Sequence, residues 1–170
     1  MRKQRKLRWW LLSCCMLVAF TATSVFAAES DLLVDGSRLI EGTESETSEM
    51  LDFKVEAVEE CPMVLSMYLS GADARIKNVG GGKVSLYADT KAREKCDQVE
   101  VDIYLQYYKN GSWVHVNNWN YSKKNVSYMS ASRVPSVTKG RYYRIKCFHA
   151  ITKNGVREKC TTMTDGIPID

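Results

Sequence analysis

The sequence has few of the residues that hydrolytic and metal-dependent sites require. It contains two histidines, His115 and His149, and neither lies in a nucleophile motif such as GxSxG. The CxxC and HxxxH spacings of zinc ligands are missing as well. The sequence therefore favours a non-enzymatic protein without a cofactor or metal. A small hydrolase centred on His149 is the alternative, although the phase of His149 with Tyr143 and Ile145 favours a core or rim histidine with satisfied hydrogen bonds.

The chain also lacks an apolar run of the ~20 residues that a membrane-spanning helix needs. A shorter apolar stretch, residues 9–20, follows five basic residues and precedes the small-residue pattern Val25-Phe26-Ala27. This order is typical of an export signal that is cleaved after Ala27. We expect a signal helix in residues 1–27 and a secreted protein that contacts the membrane only before cleavage.

The mature protein lacks an excess of positive charge. The whole chain has a formal net charge of +4, but five basic residues and no acidic ones leave with residues 1–27, so 19 basic and 20 acidic residues remain. The value of +4 is therefore not a signature of nucleic-acid binding. The remaining charge is uneven, because residues 28–60 have a net charge of −9 and residues 61–170 of +8.

Residues 28–60 form an acidic leader. Its segment 42–49 is too polar to bury apolar surface, so we expect the leader to be mostly extended or disordered. Alternating apolar residues in 51–57 predict one edge strand. The leader either folds back onto the basic domain or serves as a solvated spacer, and the sequence leaves both alternatives open.

Residues 61–170 contain short alternating segments with no helical period. Turn signals such as Gly80-Gly81-Gly82 separate them. Strands are predicted at 63–69, 74–79, 83–88, 99–108, 113–121, 126–130, 141–151 and 156–164. Such a series predicts an all-β domain, specifically an antiparallel β-sandwich of the immunoglobulin or fibronectin type. In such folds a tyrosine hydroxyl ties the corner before a strand, and Tyr143, shortly after Gly140, is placed to do so.

Two strands joined at Asn110-Gly111 have the most regular pattern. Apolar residues occupy every second position from 99 to 107, which predicts one buried face, and Val114 and Val116 join it across a two-residue type I′ turn. This register places six aromatic side chains on the opposite face: Tyr104, Tyr108, Trp113, His115, Trp119 and Tyr121. A three-residue Lys-Asn-Gly loop would instead shift the pairing by one residue and turn the tryptophans inward.

The predicted aromatic surface is the candidate binding site. Its proposed members are Tyr104, Tyr108, Trp113, Trp119 and Tyr121. These rings would stack on a sugar or contact a partner chain, and the +8 domain would attract an anionic wall polymer. Coverage by a second sheet is the structural alternative. We expect a module that binds a cell-envelope glycan, an anionic polymer or a protein, and a peptide-pairing module with an open sheet edge is the second hypothesis.

Four cysteines remain after export: Cys61, Cys96, Cys147 and Cys160. An even number in an oxidising compartment predicts disulfides. A four-residue loop around Asn154-Gly155 would place Cys147 opposite Cys160 and leave Cys61 with Cys96. A two-residue turn would leave Cys147 and Cys160 diagonal, beyond the Cα separation of about 5.5 Å that a bridge favours. Cys96 with Cys147 is the rival pairing, equivalent to the bridge between the sheets of immunoglobulin domains.

Several short segments of the domain form a recognisable set. They are Tyr68-Leu69-Ser70-Gly71, Gly82-Lys83-Val84, Cys96-Asp97, VDIYLQ at 101–106, Gly111-Ser112-Trp113, GRYYR at 140–144, His149 and Thr164-Asp165-Gly166-Ile167. With them the stretch 67–169 resembles a family of small secreted proteins of Gram-positive bacteria whose function is unknown. The resemblance implies an exported all-β domain, and it supplies no activity, ligand or catalytic residue.

Overall fold

The alternating sequence forms eight β-strands in the computed structural model, which describes residues 38–47, 52–56 and 66–170. The strands are β1 (Glu44–Thr47), β2 (Asp52–Glu56), β3 (Leu69–Gly80), β4 (Lys83–Lys109), β5 (Ser112–Arg133), β6 (Arg141–Lys153), β7 (Val156–Met163) and β8 (Ile167–Ile169). All strand pairings are antiparallel, and the described residues contain no helix. The all-β, antiparallel prediction is therefore confirmed. The predicted signal helix in residues 1–27 lies outside the described residues.

The described strands form one hydrogen-bonded sheet rather than the two separate sheets of the predicted sandwich. Their order is β1-β3-β4-β6-β7-β2, with β5 also paired to β4 and β8 paired to β6. The 27-residue strand β4 pairs with β3 along its first half and with β6 along its second. Because β4 and β5 run through both halves, the sheet curls around a single core instead of dividing in two.

An irregularity in the middle of β4 marks the curl. Between Lys91 and Cys96 the pairing with β5 is interrupted, and four residues of β4 lie opposite one residue of β5. Extra residues of this kind bend a strand and increase its twist. The predicted strands 83–88 and 99–108 are therefore parts of one strand, and so are 113–121 and 126–130.

The predicted inward face of β4 is confirmed. Val99, Val101, Ile103 and Leu105 are each at most 1% exposed. They share one core with aliphatic residues of the other strands, including Leu69, Ile76, Leu86, Ile145, Ile151 and Ile167. Burying each such side chain contributes about 1.5–3 kcal/mol. Enclosure of this face by the curled sheet is therefore the main source of the domain's stability.

Val114 and Val116, which were predicted to lie on the same buried face, are exposed instead. They lie near the tip of the β4–β5 hairpin, past Leu105, which is the last fully buried residue of β4. The core therefore ends before the hairpin does.

Both Asn-Gly pairs form two-residue turns. Asn110 and Asn154 have φ values of 50° and 51°, and the following glycines, Gly111 and Gly155, both have 80°. Positive φ at both positions defines the type I′ turn, whose twist matches that of a hairpin. The two-residue alternative at Asn110-Gly111 is thus confirmed, and the four-residue loop at the second turn is wrong.

No disulfide joins the cysteines of the described residues. The short second turn places Cys147 opposite Thr162 and Cys160 opposite His149, so the two cysteines are diagonal rather than facing. Cys96 and Cys147 are buried thiols. Neither the Cys147–Cys160 nor the Cys96–Cys147 bridge is present among the described residues, and Cys61, the predicted partner of Cys96, lies outside them.

The acidic leader contributes two strands to the sheet. β2 pairs with β7, which confirms the edge strand expected in 51–57. β1 pairs with β3 and was not predicted, because its sequence ESET contains no apolar residue. Both segments are extended, and of the two alternatives for the leader they follow the one in which it folds back onto the basic domain.

Two hydrogen-bonded side chains fix the ends of strands. The hydroxyl of Tyr143 donates to the carbonyl of Thr138 over 2.9 Å, which confirms the predicted corner. The carboxylate of Glu158, which is 0% exposed, accepts hydrogen bonds from the hydroxyl of one residue and the backbone N–H groups of three others. These donors are Ser66 (3.0 Å), Met67 (2.7 Å), Tyr68 (3.1 Å) and Leu69 (2.6 Å). The convergence ties the segment before β3 to β7.

Candidate functional site

The outward side chains of β4, β5 and β6 form the candidate site. Along each strand, residues between the buried ones point away from the core. Pairing of β4 with β6 aligns Tyr104 with Lys146 and Asp102 with Phe148, and pairing with β5 aligns Tyr108 with Trp113. We define the aromatic face as Tyr104, Tyr108, Trp113, His115 and Phe148.

A bulge in β5 divides the aromatic residues that were expected to share one face. The register after the turn is the predicted one as far as His115, and Val116 is then an extra residue without a partner position on β4. A shift of one residue moves all following side chains to the other side of the sheet. Trp119 and Tyr121 consequently lie on the inner side and pack against the core. Their placement in the outward site was wrong.

The side chains of Tyr104, Tyr108 and Trp113 lie on the outer side as predicted. The ring centre of Tyr104 is 5.3 Å from that of Phe148 in a T-shaped contact and 5.7 Å from that of His115. The ring centres of Tyr108 and Trp113 are 5.2 Å apart. Edge-to-face contacts of this kind hold each ring in a defined orientation.

Trp113 is half-buried, because its ring is already in contact with the protein. The guanidinium carbon of Arg144 lies 4.3 Å from the ring centre, and Arg144 Nε donates to Gln106 Oε1 over 2.9 Å. Gly166 lies so close to the ring edge that a methyl group there would overlap it. The exposed rings of the aromatic face are those of His115 and Phe148, the latter at 41% exposure, and Tyr104 and Tyr108 are half-buried like Trp113.

A cleft of about 320 Å³ adjoins the aromatic face. Its lining includes the outward residues Glu100, Asp102, Phe148, Arg157, Lys159 and Thr161, together with His149, Ala150 and Cys160. The Arg157 guanidinium lies 2.7 Å from the Glu100 carboxylate. The cleft therefore combines one aromatic wall with carboxylate, cationic and hydroxyl groups, which together provide both donors and acceptors of hydrogen bonds.

His149 lies on the inner side, in the core, at 1% exposure. Its Nδ1 and Nε2 atoms are each 2.9 Å from a threonine hydroxyl, of Thr90 and Thr162 respectively. Thr90 Oγ1 donates to the carbonyl of Glu100, so it accepts from Nδ1–H, and Nε2 then accepts from Thr162. Burial lowers the pKa of His149 to about 4, although the charge of Asp73 acts in the opposite direction. The prediction of a satisfied core histidine is confirmed.

Three features of the site were missed from the sequence: Lys146, Phe148 and the cleft. The signal for the two side chains was present, because Tyr143, Ile145 and His149 share one phase on the strand and the even-numbered residues that alternate with them must then point outward. The cleft had no such signal, since it depends on the packing of side chains from three different strands.

Among residues 38–47, 52–56 and 66–170, no cluster of three or more His, Cys, Asp or Glu side chains is arranged to hold a metal ion. In the same part of the chain, no helix is long and apolar enough to cross a membrane.

The aromatic face and the cleft lie within one recognised sequence family. A family profile matches residues 56–166, which include all of β3 to β7. The chain belongs to a family of unknown function, DUF6147. Among curated proteins, none matches the chain. The DUF6147 match agrees with the family resemblance inferred from the sequence.

Proposed function

We propose that this DUF6147 protein is an exported, non-enzymatic module that binds a glycan or anionic polymer of the cell envelope through the aromatic face and the cleft. The observation that carries the proposal is the position of Phe148, whose exposed ring belongs to the aromatic face and also lines the cleft. A sugar ring has apolar faces and a polar rim. An exposed aromatic ring beside polar groups matches both surfaces.

The charge of this surface supports an anionic ligand. Its outward side chains include three basic residues and two acidic ones, Lys146, Arg157 and Lys159 with Glu100 and Asp102, and the buried guanidinium of Arg144 stacks on Trp113. The Nζ atom of Lys146 lies 5.0 Å from the ring centre of Phe148, so a cation is held directly beside the proposed stacking surface. A net positive surface attracts polymers with phosphate or carboxylate groups, and does so more strongly at low ionic strength.

Export is part of the proposal and rests on the sequence. The basic, apolar and small-residue segments of 1–27 are the support for it. An exported domain with a positively charged aromatic surface would meet the phosphate-rich polymers of a Gram-positive cell wall.

The proposal is tested by sedimentation of the full mature chain with purified cell-wall sacculi, with and without their phosphate-rich polymers. We expect Phe148→Ala and Tyr104→Ala to reduce the retained fraction at least ten-fold. Tyr128→Ala is the matched control, because Tyr128 is an exposed aromatic residue outside the aromatic face. Release by high salt indicates the anionic polymer, and salt-resistant retention indicates the glycan. Unchanged retention of both variants would show that the face is not the binding site.

A second candidate function is a peptide-pairing or assembly module. The observation that favours it is the free edge of β5, a 22-residue strand that, among the described residues, pairs along its length only with β4. An open edge offers unpaired backbone groups to another strand. Sedimentation velocity at increasing protein concentration tests this function, since edge pairing between copies raises the average mass.

We do not propose a hydrolase centred on His149. The side chain is enclosed in the core, and each ring nitrogen faces a threonine hydroxyl. A general base must reach its substrate's proton directly or through one water.

A further inference from the structure

Residues 38–47 lie along the domain as an extended peptide. The N–H of Ile40 donates to the carbonyl of Gly166 over 2.8 Å, and the N–H of Gly166 donates to the carbonyl of Arg38 over 2.7 Å. Further along, β1 adds to the free edge of β3 in antiparallel register. The contact is therefore mainly a backbone interaction, of the kind by which proteins bind peptides at a sheet edge.

Charge complements this backbone pairing. Glu44 Oε2 lies 3.0 Å from Lys77 Nζ, and Glu46 Oε2 lies 2.9 Å from Arg75 Nε. The two glutamates are separated by one residue, so both point to the same side of the sheet, where the two cations also lie. The two cations at the edge of β3 are therefore placed to bind two carboxylates at positions i and i+2 of an extended peptide.

The residue between the two glutamates points the other way. Ser45 is 9% exposed, and its hydroxyl accepts a hydrogen bond from the N–H of Asp165 over 3.0 Å. A small hydroxyl-bearing side chain fits this position. The site therefore favours an extended peptide in which a small residue with a hydroxyl group lies between two acidic residues, as in Glu44-Ser45-Glu46.

The ion pairs of β1 are contacts that another acidic peptide can replace. The side chains of Glu44 and Glu46 are 65% and 67% exposed, and exposed ion pairs contribute only about 0–1 kcal/mol each. Leu39 is 40% exposed, whereas Ile40 is half-buried and packs against the core. Exchange is therefore opposed chiefly by the burial of Ile40 and by the ion pair of Arg38 with the buried carboxylate of Asp165.

The family match includes one partner of this contact, the edge of β3, but not the other, residues 38–47. The edge of β3, Asp165 and Gly166 all lie within the matched residues 56–166, whereas residues 38–47 precede them. The groove beside β3 belongs to the domain, and the peptide in it comes from the leader. A cavity of about 530 Å³ lies beside the seated peptide, and both sides of the contact line it: Glu44, Ser45 and Glu46 from the leader, and Arg75, Lys77, Ser85 and Tyr87 from the domain.

We propose that the edge of β3 is a binding site for an extended acidic peptide of another protein, and that residues 38–47 occupy it as a built-in competitor. Arg75 and Lys77 bind the two carboxylates, and the backbone of β3 and Gly166 binds the peptide backbone. This site differs in both location and ligand chemistry from the proposed glycan surface. Because the leader belongs to the same chain, its high effective concentration keeps the site closed until a competing peptide displaces it.

The experiment measures binding of a fluorescent peptide with the sequence of residues 38–47 to the full mature chain, by fluorescence anisotropy. In the variant E44K/E46K the leader is repelled by Arg75 and Lys77, so we expect the site to open and the peptide to bind at least ten-fold more tightly than to the wild type. Circular dichroism verifies the fold. If this variant fails to fold, E44Q/E46Q removes the same attractions without adding charge.

The variant E44K/E46K/R75E/K77E re-forms the internal ion pairs with reversed sign and repels the acidic peptide, so its binding is expected to fall at least to the wild-type level. Changing Lys123 and Lys124 to glutamate in the open variant alters exposed charge on β5 and should leave the affinity unchanged. Equal affinity of the open and charge-reversed variants would overturn the proposal. A wild-type dimer that dissociates in E44K/E46K would also overturn it, by identifying the second copy's leader as the occupant.

Discussion

Acidification should destabilise the domain through one buried side chain, His149. In the unfolded chain its pKa is about 6.5, whereas burial lowers the pKa to about 4 in the folded protein. The unfolded chain therefore binds the proton first as the pH falls. The corresponding loss of unfolding free energy begins near pH 6.5, is complete below about pH 4, and amounts to about 3 kcal/mol. Above pH 7 the histidine imposes no such penalty.

The assay is urea unfolding, followed by tryptophan fluorescence, at intervals from pH 7.5 to pH 3.5. His149→Gln is expected to lose about 1–3 kcal/mol at neutral pH, because its hydrogen bonds to Thr90 and Thr162 are disturbed. Its stability should fall less steeply than that of the wild type between pH 6.5 and pH 4. His115→Gln is the matched control, since His115 is exposed. Parallel pH profiles of the wild type and His149→Gln would refute the assignment of the acid sensitivity to His149.

Three further predictions concern the interior. Glu158→Gln should lower the unfolding free energy by about 2–3 kcal/mol in urea titration. The reason is that an amide nitrogen cannot accept the hydrogen bonds that backbone N–H groups donate to the carboxylate. An unchanged unfolding midpoint would contradict this role. Cys96 and Cys147 should both be alkylated by iodoacetamide in denaturant without reductant. In the folded protein the reaction should be slow, because burial raises the pKa of each thiol. Protection from alkylation in denaturant would indicate disulfides. Tyr143→Phe should cost about 1 kcal/mol in thermal unfolding through loss of the hydrogen bond to Thr138.

The strands were predictable because alternation and turn chemistry are local properties. The odd-numbered aliphatic residues from Val99 to Leu105 identified the buried face of β4 correctly. Asn110-Gly111 and Asn154-Gly155 identified the two hairpins, although the length of the second turn was assigned wrongly. The curl into one sheet was not predictable, because a bulge within β4 and a loop between two strands have the same polar composition.

The candidate site was predictable only in part, because it depends on register over distance. A single extra residue at Val116 reversed the sides of Trp119 and Tyr121, and the local sequence gives no sign of a bulge there. β1 was missed for a different reason. Its stabilising partners, Arg75 and Lys77, lie some thirty residues away, so the pairing follows from tertiary contact rather than from the intrinsic preference of Glu44–Thr47 for a strand.

The strand β4 couples the unfolding of the two parts of the sheet that it joins. Because the first half of β4 pairs with β3 and the second half pairs with β6, neither β3 nor β6 can lose its pairing through unfolding of β4 without the other being affected. Loss of structure should therefore be all-or-none, with circular dichroism and fluorescence reporting one coincident transition. The most slowly exchanging amides should lie along the centre of this strand.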